Sequence, residues 1–171
     1  NVAVTIEGRN DAPNLFADHA AVSVDEGEIA TNAGTFVEPD RNDSLSLSAS
    51  VGDLSQQVGS SGTWAWTFGT SDGPAESAIV TIAADDGNGG SATTTFDLTV
   101  ANVAPTFEAG ADETVPVLAH GAFQRAIDFA DPGADAHTVH VAWGDGDADT
   151  FAVSLGVRSF AEQCLRKGAG E

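Results

Sequence analysis

The sequence predicts an all-β protein made of β-sandwiches in tandem. Apolar and small polar residues alternate with a period of two, and Gly, Asp-Gly and Pro turn signals separate the runs every 8–12 residues. In the clearest run, 93–100, Phe96, Leu98 and Val100 face one side while threonines face the other. Similar runs lie at 20–24, 45–51, 63–68, 79–83 and 138–143. Many short strands with regular turns are typical of a sandwich.

An internal repeat of about 92 residues is the third observation. Ala12-Pro13 recurs as Ala104-Pro105 at an offset of 92, and Phe36-Val37-Glu38-Pro39 recurs as Phe129-Ala130-Asp131-Pro132 at an offset of 93. A third match, Val51-Gly52-Asp53 with Trp143-Gly144-Asp145, has an offset of 92. One repeat therefore has the length of one sandwich domain, which is roughly 100 residues.

The repeat divides the chain into four segments. Residues 1–11 are predicted to be the last strand and linker of a preceding repeat, and residues 12–103 to form one complete sandwich. Residues 104–156 are predicted to form a second, incomplete sandwich. The remaining 157–171 are a tail of different character.

The tail is basic where the rest of the chain is acidic. It has 3 bases and 2 acids, whereas residues 1–156 have 24 acids and 3 bases. Its apolar residues recur at helical spacing and predict a short helix; they are Val157, Phe160, Ala161, Cys164 and Leu165. Two interpretations stay open: a helix that docks on the open sheet, or a foreign end on a truncated repeat.

The charge excludes several classes of partner. The chain has 26 acidic and 6 basic side chains, for a net charge of −20. Nucleic acids and anionic membrane surfaces both require clustered Lys and Arg, so neither is an expected partner. No apolar run approaches the roughly 18–20 residues of a membrane span, so we expect no membrane insertion. A cation or a basic partner is the expected companion.

The junction between repeats resembles a known family. The segment from Ile6 to Pro13, with its Asn10-Asp11-Ala12-Pro13 motif, resembles the linker of bacterial cadherin-like surface repeats. In the second unit, Val141-Ala142-Trp143-Gly144-Asp145-Gly146 resembles the Trp-Gly-Asp-Gly turn of the PKD-like branch. The resemblance covers residues 1 to about 156. It implies Greek-key, immunoglobulin-like β-sandwiches in a structural or adhesive repeat module of a large extracellular or cell-surface protein.

This resemblance also implies partners and a cofactor. The partners are neighbouring repeats of the same chain and a homophilic or cell-surface protein. The cofactor is Ca²⁺, a hard cation that takes 6–8 oxygen ligands. The positions that match the family's ligands are Asn10, Asp11, Glu26, Asp40 and Asp43, with Asp72 and Glu76 as a looser match. At the second linker Val103 stands where the motif has Asp, which weakens any site there. The alternative is that these acids cap turns.

A row of aromatic residues suggests a second function. Trp64, Trp66 and Phe68 share one strand face, and an exposed row of this kind is how sugar-binding sandwiches stack their ligands. A carbohydrate-binding accessory module of a secreted enzyme is therefore the alternative function. With only 12 aromatic residues in the chain, core packing is the better interpretation.

Neither the histidines nor the acids of the second unit predict a catalytic or zinc site. His137 and His140, with Asp135 nearby, lie three apart on a predicted strand and would point to opposite faces. We interpret them as ordinary strand histidines. Asp145, Asp147 and Asp149 are explained by a solvated loop, and no nucleophile or phosphate-binding motif is present. The sequence therefore predicts a protein that is not an enzyme.

Overall fold

A computed structural model describes most of the chain. It covers residues 3, 8–40, 43, 45–108, 110–111, 122–142, 148–153 and 159–165. The chain divides into two compact units, Asn1–Asn102 and Val103–Glu171, and each is described by itself. The predicted strand of a preceding repeat falls mostly on residues 1–7, of which all but residue 3 lie outside the described part.

The described residues are all β, in thirteen strands. The first unit contains β1 (Asn14–Ala17), β2 (Ala21–Asp25), β3 (Ile29–Val37), β4 (Ser46–Ala49), β5 (Asp53–Gln56), β6 (Ser61–Gly69), β7 (Ala78–Asp85) and β8 (Ser91–Ala101). The second contains β9 (Thr106–Glu108), β10 (Ala122–Ala130), β11 (His137–Ala142), β12 (Ala148–Val153) and β13 (Ser159–Leu165). In the described residues no helix has the length and apolar character needed to cross a membrane.

The first unit is an immunoglobulin-like sandwich. Its two sheets have the strand orders β1-β3-β6-β5 and β2-β8-β7-β4. All neighbours are antiparallel except β2, which runs parallel to β8. This is the order of the two sheets in immunoglobulin domains, with the first strand of the chain divided between them. The predicted all-β sandwich fold is confirmed.

The core of the first unit lies between the two sheets, where the period-2 pattern places it. Phe96, Leu98 and Val100 of β8 are buried, as their alternation predicts. Trp66 packs edge-on against Phe96 across the core, with ring centroids 4.9 Å apart. Burial of such apolar side chains contributes on the order of 1.5–3 kcal/mol each to folding.

One glycine makes room for Trp64 in the core. Gly34 of β3 pairs with Trp64 of β6 and, on its other side, with Ala17 of β1. A Cβ at Gly34 would overlap the Phe16 carbonyl oxygen and lie 2.5 Å from the Trp64 ring. The close approach also lets the Trp64 indole Nε1 donate a hydrogen bond to that carbonyl at 3.1 Å.

The second unit contains two small sheets among its described residues. One has the strand order β13-β10-β9, and the other pairs β11 with β12. Phe129, near the end of β10, is buried and contacts the ring of His137 at the start of β11, with centroids 4.8 Å apart. Trp143 and the Gly-Asp-Gly turn that follows it lie outside the described residues.

The predicted helix in the tail is wrong over 159–165. This segment is strand β13, antiparallel to β10 from Ala122↔Leu165 to Asp128↔Ser159. A strand edge presents unpaired amide and carbonyl groups, and seven residues of the tail satisfy those of β10. Pairing with a distant strand outweighs the local helical spacing, which is a weak preference over so short a segment.

Candidate metal site in the first sandwich

Three acidic side chains meet at the end of β3. Glu38, Asp40 and Asp43 follow this strand, and each can place a carboxylate oxygen within 4.8 Å of the other two. We call these three residues the acidic corner. Carboxylate oxygens at this spacing are the donor type that a hard divalent cation takes.

Glu38 is the buried member of the acidic corner. Its residue is 5% exposed. Its Oε1 accepts a hydrogen bond from the Asp40 amide at 2.9 Å. Its Oε2 is buried without a hydrogen-bond partner among the described residues. A buried carboxylate oxygen with no partner is costly, and a bound cation would remove that cost.

The linker before the sandwich reaches the acidic corner through its backbone. Strand β1 begins at Asn14, which pairs with Val37 at the end of β3, so the residues just before β1 lie beside those just after β3. The Asp11 amide donates a hydrogen bond to Asp40 Oδ2 at 2.6 Å. The structure thus joins three of the predicted ligand residues in one place: Asp11, Asp40 and Asp43.

Asn10 is bound to a different loop. Its Nδ2 donates a hydrogen bond to Asp86 Oδ2 at 2.8 Å. Asp86 also accepts from the amides of Asn88 and Gly90 in the turn between β7 and β8. The bond from Asn10, followed by those amides, lowers the pKa of Asp86 below its ordinary value. Asn10 therefore fastens the linker to this turn.

Glu26 and Asn10 lie at opposite ends of the sandwich. The Glu26 amide donates to Ala101 O at the end of β8, whereas Asn10 is beside Gly90, just before β8 begins. The eleven residues of β8 span roughly 33 Å. The Glu26 side chain is buried and its Oε2 accepts from the Gly73 amide at 2.8 Å. The five predicted ligand residues therefore do not converge on one point.

The looser candidates also lie away from the acidic corner. Glu76 accepts hydrogen bonds from the amides of Ser71 and Asp72 at 2.7 and 3.1 Å. The bond from the Ser71 amide is the main reason that the pKa of Glu76 is lowered. This is a carboxylate that caps a turn, so the alternative interpretation of the acids holds for this residue.

Glu38 is not among the ligand residues that the sequence predicts. A signal was available, because Glu38 precedes Pro39 at the position where the repeat has Asp131 before Pro132. An acid in that place in both copies follows the end of a strand that carries a buried Phe. The sequence does not show that the side chain turns inward.

The aromatic row faces the core. Trp64 and Trp66 are fully buried, and Phe68 is partly buried against the same core. The indole Nε1 of Trp66 donates to Val51 O at 2.6 Å. The prediction of core packing is confirmed, and the exposed row that would favour sugar binding is not present on β6.

The similarity of this chain to known proteins is structural and distant. No family model and no curated protein matches the chain. Among solved structures, the BIgI domain of the beta protein from S. agalactiae, bound to CEACAM1, is 22% identical, with a TM-score of 0.42, covering 52% of this chain and 96% of its own. Chimeric titin Z1Z2 is 14% identical, with a TM-score of 0.39, covering 91% of this chain and 96% of its own. The adhesin InvE of Yersinia pseudotuberculosis is 12% identical, with a TM-score of 0.40. The match covers 88% of this chain and 50% of the InvE chain.

Proposed function

We propose that this chain is a structural or adhesive repeat of a large extracellular or cell-surface protein, and that Ca²⁺ binds at the acidic corner. The protein has no catalytic role in this proposal. Its partners are neighbouring repeats and a cell-surface protein. The observation that carries the proposal is the unpartnered Oε2 of buried Glu38, beside Asp40 and Asp43.

The mechanism follows from where the acidic corner lies. A bound cation supplies positive charge that offsets the repulsion among three carboxylates. Asp40 holds the Asp11 amide, so any ordering of the corner is transmitted to the linker. Pro13 restricts the residue before it to extended backbone, which limits the directions that the linker can take. The linker should therefore be stiffer with the cation than without it.

Thermal unfolding in millimolar Ca²⁺ and in excess chelator tests the proposal, with Mg²⁺ as the ionic control. A ligand at a hundredfold excess over its Kd adds about 2.7 kcal/mol to the free energy of unfolding. For a domain of this size we expect Tm to rise by about 10 °C.

Matched variants locate the effect. Glu38→Gln and Asp43→Asn should each remove most of the rise in Tm. Asp97→Asn makes the same change of charge on the exposed face of β8 and should keep it. A rise that persists in both corner variants, or no rise in the parent chain, would refute calcium binding at the acidic corner.

Proteolysis tests the stiffening of the linker separately. Trypsin cleaves after Arg and Lys, and Arg9 stands in the linker two residues before Asp11. Ca²⁺ should slow cleavage after Arg9 in the parent chain but not in Glu38→Gln. Equal cleavage rates with and without Ca²⁺ would show that the cation, even if bound, leaves the linker unchanged.

A further inference from the structure

The second unit contains a separate cluster of potential metal ligands, in the loop between β10 and β11. Asp131 follows β10, Asp135 lies in the loop, and His137 begins β11. One ligand atom from each lies within 4.8 Å of the other two. His137 Nε2 is 2.8 Å from Asp131 Oδ2.

Asp131 has one carboxylate oxygen that the contact with His137 leaves unsatisfied. Its side chain is 5% exposed. While Oδ2 contacts His137, Oδ1 is buried without a hydrogen-bond partner in the described part of the chain. One neutral or protonated imidazole therefore satisfies only one of two buried carboxylate oxygens. A group that takes both the imidazole nitrogen and carboxylate oxygens as ligands would satisfy the site better.

A ring on the preceding strand, β10, packs against the imidazole. The His137 ring packs edge-on against buried Phe129, with ring centroids 4.8 Å apart. On β11 the residues alternate between half-buried and exposed, so His137 is half-buried and His140 is exposed. The prediction that the two histidines face opposite sides is confirmed. His137 has its ligand partners in the preceding loop instead.

We propose that Asp131, Asp135 and His137 bind a divalent transition metal of the Zn²⁺ class. Two carboxylates balance the charge of a dication, and imidazole favours Zn²⁺, Cu²⁺ or Ni²⁺ over Ca²⁺. Zinc takes His nitrogen and Asp oxygen at about 2.0–2.2 Å, so adjacent tetrahedral ligands lie roughly 3.4 Å apart. The separation of His137 Nε2 and Asp131 Oδ2, now 2.8 Å, must therefore widen by about 0.6 Å to admit the ion. Three protein ligands leave the fourth position to water.

Zn²⁺ affinity is measured on the full chain by competition with a chromophoric chelator, in the presence of excess Ca²⁺. We expect one Zn²⁺ per chain. His137→Gln and Asp131→Asn should each weaken binding at least tenfold, because each removes one of three ligands. His140→Gln, which removes an exposed imidazole from the same strand, should leave the affinity unchanged. Cys164→Ser should also bind Zn²⁺ as the parent does, which excludes the thiol as the ligand.

Two results would overturn this assignment. One is an affinity that neither His137→Gln nor Asp131→Asn reduces, and the other is an equal loss in His140→Gln, which indicates nonspecific binding to surface imidazoles. A measurement on the unmodified chain guards against misfolded variants. Co²⁺ should broaden the NMR signals of the His137 and Phe129 rings before those of His140. Equal broadening of all histidine signals would reject the site.

Discussion

The two units place a buried acid at the same point of the repeat and surround it differently. Glu38 and Asp131 each precede a proline and follow a strand whose Phe is buried, Phe36 in one and Phe129 in the other. Each has one carboxylate oxygen without a partner among the described residues.

The neighbours of each acid differ in chemistry. Glu38 has two further carboxylates, whereas Asp131 has one carboxylate and an imidazole. In the two proposals, the position of the acid sets each site and its neighbours select the cation. We therefore expect a hard cation in the first unit and a borderline transition metal in the second.

The largest expected effect comes from disrupting the first unit alone. Gly34→Ala puts a Cβ against the Phe16 carbonyl and the Trp64 ring, and should cost the first unit about 3 kcal/mol. Urea unfolding followed by tryptophan fluorescence measures this loss. Zn²⁺ affinity in the second unit should remain unchanged.

A matched glycine serves as the control for this variant. Gly69→Ala adds a Cβ with nothing within 4 Å and should be nearly neutral. If Gly34→Ala also abolished Zn²⁺ binding, the proposed metal site of the second unit would depend on the folding of the first unit.

The second change makes the two sites alike. His137→Asp replaces the imidazole with a third carboxylate, as in the acidic corner. We expect Zn²⁺ affinity to fall about a hundredfold and a second Ca²⁺ site of low affinity to appear, because oxygen ligands favour the harder ion. Calorimetric titration with each metal measures both effects. Unchanged preference for Zn²⁺ would show that the neighbours do not select the cation.

The third change measures how the acidic corner affects the free energy of unfolding without Ca²⁺ and with it. In excess chelator, Glu38→Gln should raise the free energy of unfolding by about 1 kcal/mol. It replaces a buried charge that has one unpartnered oxygen with a neutral amide, whose N–H groups can donate to the neighbouring carboxylates. In Ca²⁺ the same variant should be less stable than the parent chain. The sign therefore reverses with the cation, and paired melts of the two proteins detect it. A variant that is less stable in both conditions contradicts the expected role of Glu38.

The smallest effect concerns the bond between Asn10 and Asp86. Because the folded state lowers the pKa of Asp86 from its ordinary 3.8, its contribution to stability is present above that value. The contribution is lost as pH falls through the lower folded value. In chelator, Asn10→Ala should reduce this loss, so its Tm should fall less steeply than the parent's below about pH 4.

Thermal melts at a series of pH values test this prediction. Asn14→Ala removes an exposed amide from β1 and serves as the control. Parallel Tm profiles for all three proteins would show that the Asn10 bond has no part in the acid dependence.

Much of the fold could be predicted because its signals are local. Alternation at 93–100 predicts which side of β8 is buried, and Phe96, Leu98 and Val100 are buried there. The tail could not be predicted, because helical spacing describes only its own segment. The strand over 159–165 depends on β10, more than thirty residues earlier in the chain.

For the candidate sites too, some features can be predicted from the sequence and others depend on the fold. The amino-acid sequence alone predicts the repeat, the alternating strands, the acidic character of the linker and the acid before proline in each copy. The tertiary fold brings Asp11 to Asp40 and His137 to Asp131, and it places Glu26 at the end of β8. The physical reason is that periodicity fixes which face a residue takes within its own strand. Strand pairing and loop paths fix which distant residues share a corner, and no local pattern encodes them.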